Sequence, residues 1–245
     1  MILAYLDLLQ ENALAFFVFV GALASALLLG ISFHEFSHAL VADTLGDPTP
    51  RQAGRVSLNP LAHLDPAGTA LLFLVGFGWG KPVPINANYF RRPQVGMATV
   101  TAAGPIANFA VAGLAGLPLK FDWVPWLTPF NSAVINNFIR GDWRPEDYAG
   151  LFLSSIVLVS IILGVFNLIP LFPLDGHRVL PIFLPPDAAD GYMRFQVRYG
   201  FIILIVLIAL PFLTGGNFGI LFEVMQPLIR GLAKLFAGID TNVFG

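Results

Sequence analysis

The 245-residue chain contains no cysteine. Disulfide bridges, thiolate metal ligands and a cysteine nucleophile are therefore excluded. Charged residues are scarce too, at 11% of the chain, whereas a soluble domain carries about a quarter. Lys and Arg number 13 against 15 Asp and Glu, so no basic excess favours a nucleic acid as partner. Any metal ion must be held by carboxylates and by the few histidines, which are His34, His38, His63 and His177.

Apolar residues, in contrast, make up 56% of the chain, and the mean hydropathy is +0.76. This composition predicts an integral membrane protein, and we find no boundary that would divide residues 1–245 into two domains. The 19 prolines and 24 glycines predict broken helices and re-entrant backbone, which membrane proteins tolerate where protein or water lines a cavity. Residues 1–11 contain no Lys or Arg, so we expect no cleavable signal peptide.

Long apolar runs predict an all-α polytopic bundle of about four transmembrane helices. They cover residues 13–43, 93–119, 148–174 and 199–213. Residues 13–33 are uncharged and reach the length of about 20 residues that crosses a bilayer core. Residues 13–180 are expected to form the core, followed by C-terminal helices within 199–236. The last of these, at 221–236, is amphipathic and is expected to lie on the membrane surface or to pack on a partner.

A shorter apolar run at residues 67–77 predicts a re-entrant segment. A helix of this length rises about 16 Å, roughly half the hydrocarbon thickness. The following residues 81–86 carry Pro82 and Pro84, and alternate prolines are typical of an extended strand with only one edge able to donate hydrogen bonds. Such an open edge could receive an extended peptide. An irregular loop stiffened by proline is the alternative.

A His-Glu-x-x-His motif stands near the end of the first apolar run. In a helix, His34 and His38 lie one turn apart on the same face and can bind one metal ion, with Glu35 beside them. A solvated or core histidine pair is the alternative for such a motif. Ionisable groups at membrane depth are costly, however, and are functional candidates for that reason.

The distribution of Lys and Arg predicts the orientation of the helices. If residues 67–77 do not cross the membrane, the 11 basic residues up to Arg198 divide eight against three, and the larger group marks the cytoplasmic side. The larger group is Arg51, Arg55, Lys81, Arg91, Arg92, Arg178, Arg194 and Arg198, and the smaller is Lys120, Arg140 and Arg144. In this topology the first and third long helices run in the same direction and bring His34, His38 and Asp175 to the cytoplasmic half.

Two histidines and a carboxylate are a common protein ligand set for catalytic zinc, with a fourth position left for water. We therefore predict one zinc ion on His34, His38 and Asp175. Glu35 is the predicted general base that takes a proton from water and returns it to the leaving amine. Apart from the topology, Asp175 in Pro-Leu-Asp-Gly would be an ordinary turn residue.

Three motifs in this order resemble the site-2 protease family of intramembrane zinc metalloproteases. They are His-Glu-Phe-Ser-His at 34–38, Gly-Pro-Ile-Ala-Asn at 104–108 and Asn-x-x-Pro-x-x-Pro-Leu-Asp-Gly at 167–176. Residues 59–66 and 78–84 resemble the compact prokaryotic branch, and no insert of the size of a PDZ domain fits between the helices. The resemblance implies a zinc peptidase that cleaves the transmembrane helix of a protein substrate within the bilayer. Together with the distribution of basic residues, we expect a multi-pass protein of a prokaryotic cell membrane with its active site towards the cytoplasm.

Further side chains are candidates for supporting roles. Asn108 is a predicted catalytic residue that donates to the oxyanion, with helix-to-helix hydrogen bonding as the alternative. His63 is a second candidate for the oxyanion or the cleft, with a structural role in its loop as the alternative. The resemblance favours Asp175 over His177 as ligand, and Asn167 is expected to satisfy backbone freed by Pro170.

Two other functions stay open at this stage. One is a membrane zinc protease that acts on peptides outside the lipid. The other is a metal-binding membrane protein or transporter without turnover. Glu35 favours a protease, because a protein that only holds a metal has no use for this base.

Overall fold

The computed structural model describes residues 5–75, 80–141, 143–215 and 219–239. Its α-helices are α1 (Leu6–Glu11), α2 (Ala13–Thr44), α3 (Thr49–Gln52), α4 (Pro66–Val75), α5 (Pro93–Lys120), α6 (Ser132–Ile139), α7 (Pro145–Asn167), α8 (Gly176–Val179), α9 (Pro186–Phe195), α10 (Phe201–Leu213) and α11 (Ile220–Ala237). A π-helical turn, Gln196–Gly200, joins α9 to α10. Within the described ranges no β-strand forms, and an isolated antiparallel bridge links Leu64 to Gly80. The predicted all-α class is confirmed.

Among the described residues, four helices are long and apolar enough to cross a membrane, as predicted. They are α2, α5, α7 and the continuous helix Pro186–Pro211. The third ends at Asn167 rather than at residue 174, because Pro170 has no N–H for the helical hydrogen-bond ladder. The fourth begins at Pro186 rather than at residue 199, since the polar stretch before its apolar part is helical as well.

Helices α2, α5 and α7 pack closely on one another and form the core. Glycines make this approach possible. A Cβ on Gly30 of α2 would lie 2.8 Å from Leu163 of α7, and one on Gly164 would lie 2.5 Å from the ring of Phe109 on α5. Small residues at helix interfaces are what a membrane bundle needs, because packing rather than the hydrophobic effect drives the association.

Helix α11 packs against α5 and α7 within the molecule. Its buried side chains are Leu221, Met225, Ile229, Ala233 and Ala237, which follow one another at intervals of four. Gly116 of α5 lies against the backbone of Phe236, and the Lys120 ammonium donates to the Leu235 carbonyl over 2.8 Å. Other apolar residues of this helix, Val224, Leu228 and Leu235, are exposed.

Helix α4 and the segment after it are both short. The ten residues of α4 rise about 15 Å, half of what a crossing needs. Residues 76–79, which belong to the predicted re-entrant run and to the 78–84 motif, lie outside the described residues. Residues 81–86 form no strand, but their exposure alternates: Val83 and Ile85 are half-buried, whereas Pro82 and Pro84 are exposed. This alternation is typical of extended backbone.

Candidate metal centre

The three predicted ligands lie together in the structure. His34 and His38 project from one face of α2, and both are buried. The Nε2 atom of His34 is 3.0 Å from Oδ2 of Asp175, and that of His38 is 3.3 Å from the same oxygen. Their potential ligand atoms all lie within 4.8 Å of one another.

Asp175 reaches the histidines through the loop between α7 and α8. This loop folds back on the end of α7 so closely that a Cβ on Gly176 would lie 2.2 Å from the Leu168 carbonyl oxygen. Gln196 holds the loop at a second point. Its Oε1 accepts the N–H of Phe172 over 2.9 Å, and its Nε2 donates to the Pro170 carbonyl over 3.0 Å. Gln196 was not among the sequence candidates, and its place in a polar helical stretch beside a long apolar run was the available signal.

The hydrogen bonds of Nδ1 show which nitrogen carries a proton in the two imidazole rings. Nδ1 of His34 lies 2.6 Å from Oδ1 of Asn108, and Nδ1 of His38 lies 2.7 Å from the Val100 carbonyl oxygen. Both partners are acceptors, because the Asn108 amide nitrogen donates to the Gly30 carbonyl over 3.0 Å. Each Nδ1 therefore carries a proton, and Nε2 is the nitrogen that each ring can offer to a metal ion beside Asp175.

This donor set fits a divalent cation. Two imidazole lone pairs and a carboxylate oxygen converge, and the buried Oδ2 of Asp175 has no hydrogen-bond donor among the described residues. Ligand distances of about 2.0–2.2 Å in a tetrahedral site imply ligand atoms about 3.3 Å apart, close to the two separations that join Asp175 to the histidines. Hydrogen bonds from Nδ1 to acceptors are also the usual support of metal-binding histidines.

Helix α5 presents bare backbone to the two rings. A Cβ on Gly104 would lie 2.6 Å from Cε1 and Nε2 of His34 and 2.6 Å from Cε1 of His38. Glycine is required here, because no side chain could occupy this space without displacing a ligand. Val100, Gly104 and Asn108 are spaced by four on α5, and all three touch the histidines.

Glu35 lies beside the ligands and is half-buried. Its Oε1 lies 3.4 Å from the position of a Cβ on Gly80, so its carboxyl group faces the start of the extended segment 81–86. A carboxylate between a metal centre and an extended edge is well placed to exchange protons with a substrate bound there.

Comparison with known proteins identifies the family. The chain is 32% identical over 217 residues to YwhC of Bacillus subtilis, named as a candidate zinc metalloprotease, and the match covers 89% of this chain and 91% of YwhC. The chain belongs to the site-2 protease family. Rip2 of Mycolicibacterium smegmatis, named in the same way, is 28% identical over 80% of this chain and 69% of its own. Rip2 of Mycobacterium tuberculosis H37Rv is 28% identical over 84% and 73%, respectively. No protein-family model and no solved structure matched the chain.

In this site-2 protease, both polar ends of Asn108 are occupied. Its oxygen faces His34 and its nitrogen faces Gly30, so Asn108 supports a ligand in the structure. Its predicted role at the oxyanion stays a prediction. Asn167 donates to the Leu163 carbonyl over 2.9 Å, one turn back in α7.

His63 is fully buried below the extended segment. Its Nε2 lies 2.6 Å from the Ser57 carbonyl, and its own carbonyl accepts the N–H of Lys81 over 2.8 Å. Nδ1 has no partner among the described residues. These bonds support a structural role in the loop, and a catalytic role of His63 stays a prediction.

His177 turns towards its own loop. Its Nδ1 lies 2.5 Å from the Leu174 carbonyl oxygen. Burial lowers the pKa of His177, although this hydrogen bond acts in the opposite direction, and the ring is neutral near pH 7. His177 is outside the group of converging ligand atoms formed by His34, His38 and Asp175.

Proposed function

We propose that this membrane zinc metalloprotease cleaves within the membrane, hydrolysing a peptide bond in or near the transmembrane helix of a protein substrate. The observation that carries the proposal is the convergence of Asp175 on His34 and His38, which stand with Glu35 on a helix apolar enough to span the bilayer. A protease for extramembrane peptides would not need its ligands on such a helix.

The residues have separate roles in the proposed reaction. Nε2 of His34, Nε2 of His38 and a carboxylate oxygen of Asp175 would hold one zinc ion. Zinc bound there supplies Lewis acidity that activates water and polarises the substrate carbonyl. Glu35 accepts a proton from the attacking water and donates it to the leaving amine.

The active site is proposed to open towards the cytoplasm of a cell membrane. Helices α2 and α7 run in the same direction, and the ligands lie near the end of α2 and just after α7. Of the eight basic residues in the larger group, two follow α2, three follow α7 and three stand between α4 and α5. The polar loops near the ligands offer water a path that the bilayer core denies.

The extended segment 81–86 is proposed to receive the substrate backbone. A peptide bond within a helix is shielded by the helical hydrogen bonds, so a substrate must unwind locally before hydrolysis. Glu35 faces Gly80 at the start of this segment, and an extended edge can replace the lost hydrogen bonds. Val83→Pro is expected to reduce cleavage more than zinc content, and an equal loss of both would contradict this role.

Glu35→Gln tests the proposed chemistry. The amide cannot accept the proton, so we expect proteolysis of a single-span substrate in detergent to fall by at least about a hundredfold. Bound zinc, measured by elemental analysis, should be unchanged, because Glu35 is not a ligand.

Glu146→Gln is the matched control, since Glu146 is exposed on α7 far along the chain from the site. It should retain full activity. Persisting proteolysis in Glu35→Gln would refute the mechanism. Substrates in which the scissile bond is shifted along the helix and out of the lipid would separate cleavage within the membrane from cleavage outside it.

A further inference from the structure

Arg55 is a buried cation next to the extended segment. Only 3% of its surface is exposed, and its guanidinium donates to three backbone carbonyls. One nitrogen donates to Ala62, and the other donates to Lys81 over 2.6 Å and to Pro82 over 2.5 Å. Arg55 thus ties the beginning of the segment to the loop that contains His63.

Asp47 holds the other end of the same segment. Its carboxylate is fully buried, and Oδ2 accepts the N–H of Asn86 over 2.7 Å. Oδ1 accepts the N–H of Thr49 over 3.0 Å at the start of α3. Both charged residues come from the stretch that follows α2, so one short loop secures the segment at two points.

The two attachments leave one edge available. In extended backbone, the N–H and C=O groups of successive residues point to opposite sides. Those of Pro82, Pro84 and Asn86 therefore lie on one side, and those of Val83 and Ile85 lie on the other. The first side needs few partners, because both prolines lack an N–H and Asn86 is bound to Asp47. The N–H groups of Val83 and Ile85 have no partner among the described residues.

We propose that Arg55 and Asp47 are positioning residues that hold residues 81–86 as a preformed edge for the substrate backbone. This inference rests on the proposed function. A segment fixed in advance loses little conformational entropy when a peptide pairs with it, which strengthens binding. Arginine suits the task, because its planar fork reaches carbonyls that a lysine ammonium cannot bridge simultaneously.

Arg55→Gln and Arg55→Lys test the inference by steady-state proteolysis of a single-span substrate in detergent. We expect KM, as mole fraction in the micelle, to rise about tenfold in Arg55→Gln, with less than about a twofold change in kcat. Arg55→Lys should recover only part of this loss. Asp47→Asn should raise KM as well, while bound zinc should stay at the wild-type level in all three.

Arg51→Gln is the matched control, since Arg51 stands four residues away, is exposed and pairs with Asp43 on the surface. Its KM should equal that of the wild type. An unchanged KM in Arg55→Gln, or full recovery by Arg55→Lys, would overturn the inference. Absence of proteolysis in the wild type would instead refute the proposed function.

Amide hydrogen exchange covers the case in which an Arg55 variant fails to fold. In the Glu35→Gln protein, the amides of Val83 and Ile85 should exchange fast and become at least about tenfold slower when a substrate segment is added. The Asn86 amide should be slow throughout, because Asp47 binds it. Unprotected Val83 and Ile85 amides with bound substrate would contradict the inference.

Discussion

At the scale of single residues, the candidate metal centre is supported by an amide that is not among its ligand atoms. Asn108 fixes the proton of His34 on Nδ1 and so keeps the Nε2 lone pair free. Asn108→Ala removes this acceptor, and we expect zinc affinity to fall about 10- to 100-fold in competition with a chelator. Asn108→Asp, which still accepts from Nδ1, should lose less.

Asn137→Ala, on the exposed surface of α6, is the control for the Asn108 series and should bind zinc as the wild type does. If Asn108→Ala retained full affinity while losing activity, a direct role of Asn108 at the oxyanion would be favoured.

Gly104→Ala tests how tightly helix α5 contacts the ligands. The added methyl would lie 2.6 Å from ring atoms of both histidines, so the rings must move. We expect a loss of about 1–3 kcal/mol in the free energy of unfolding and at least about a tenfold loss of zinc affinity.

Gly113→Ala on the same helix provides the comparison, because its methyl would meet Phe236 at 3.6 Å, an ordinary contact. Its stability and bound zinc should match the wild type. Alanine has a higher helix propensity than glycine, so an equal loss in both substitutions would mean that added bulk anywhere on α5, rather than contact with the rings, explains it.

The sequence was most informative about the ligands themselves. His34, His38 and Asp175 were predicted from helical spacing and from the directions of α2 and α7. The hydrogen bonds of Asn108 to α2 match the helix-to-helix alternative given by the sequence, although its partners His34 and Gly30 were not predicted. The contacts of Gln196 and of Arg55 with Lys81 and Pro82 could not be predicted, because they join residues more than 20 positions apart. Such pairings depend on how helices and loops pack, which no local pattern contains.

At the scale of elements, α11 shows where hydrophobic patterning stops being informative. Residues 221–236 predict an amphipathic helix, and the helix exists, but the face that packs on α5 and α7 is the stripe with Ile229 and Ala233. The exposed side of α11 carries apolar residues as well, among them Val224, Leu228 and Leu235. The apolar pattern therefore cannot distinguish protein contact from lipid contact.

Ile229→Ala and Leu228→Ala separate the two flanks of α11. Ile229 is fully buried and Leu228 is 58% exposed. We expect Ile229→Ala to lose about 2–4 kcal/mol of stability through the cavity that it creates, whereas Leu228→Ala should change stability by less than about 0.5 kcal/mol. Thermal unfolding in detergent measures both losses. A larger loss in Leu228→Ala than in Ile229→Ala would mean that α11 packs on α5 and α7 through its other side.

At the scale of the whole molecule, a natural chain without cysteine allows its topology to be mapped directly. Asn59→Cys and Glu146→Cys introduce single thiols at exposed positions after α2 and at the start of α7. We expect a membrane-impermeant maleimide to label only Glu146→Cys in intact cells and both variants after permeabilisation. Labelling of both variants in intact cells would contradict the proposed orientation.

Metal removal should affect activity and stability together. Three potential ligand atoms converge in the folded chain, and a cation that binds them there stabilises the folded state over the unfolded one. Prolonged chelation should therefore abolish proteolysis and lower Tm, and added zinc should restore both. Recovery of Tm without recovery of activity would separate a structural ion from a catalytic one.

The contacts between α2 and α5 have a consequence for how such proteins can diverge. Val100, Gly104 and Asn108 meet Gly30, His34 and His38 at matching intervals, so both helices share one register. A residue inserted in either stretch would turn every following contact away from its partner. Relatives that keep zinc should therefore show no gaps across these two stretches, while the connections outside them vary freely in length.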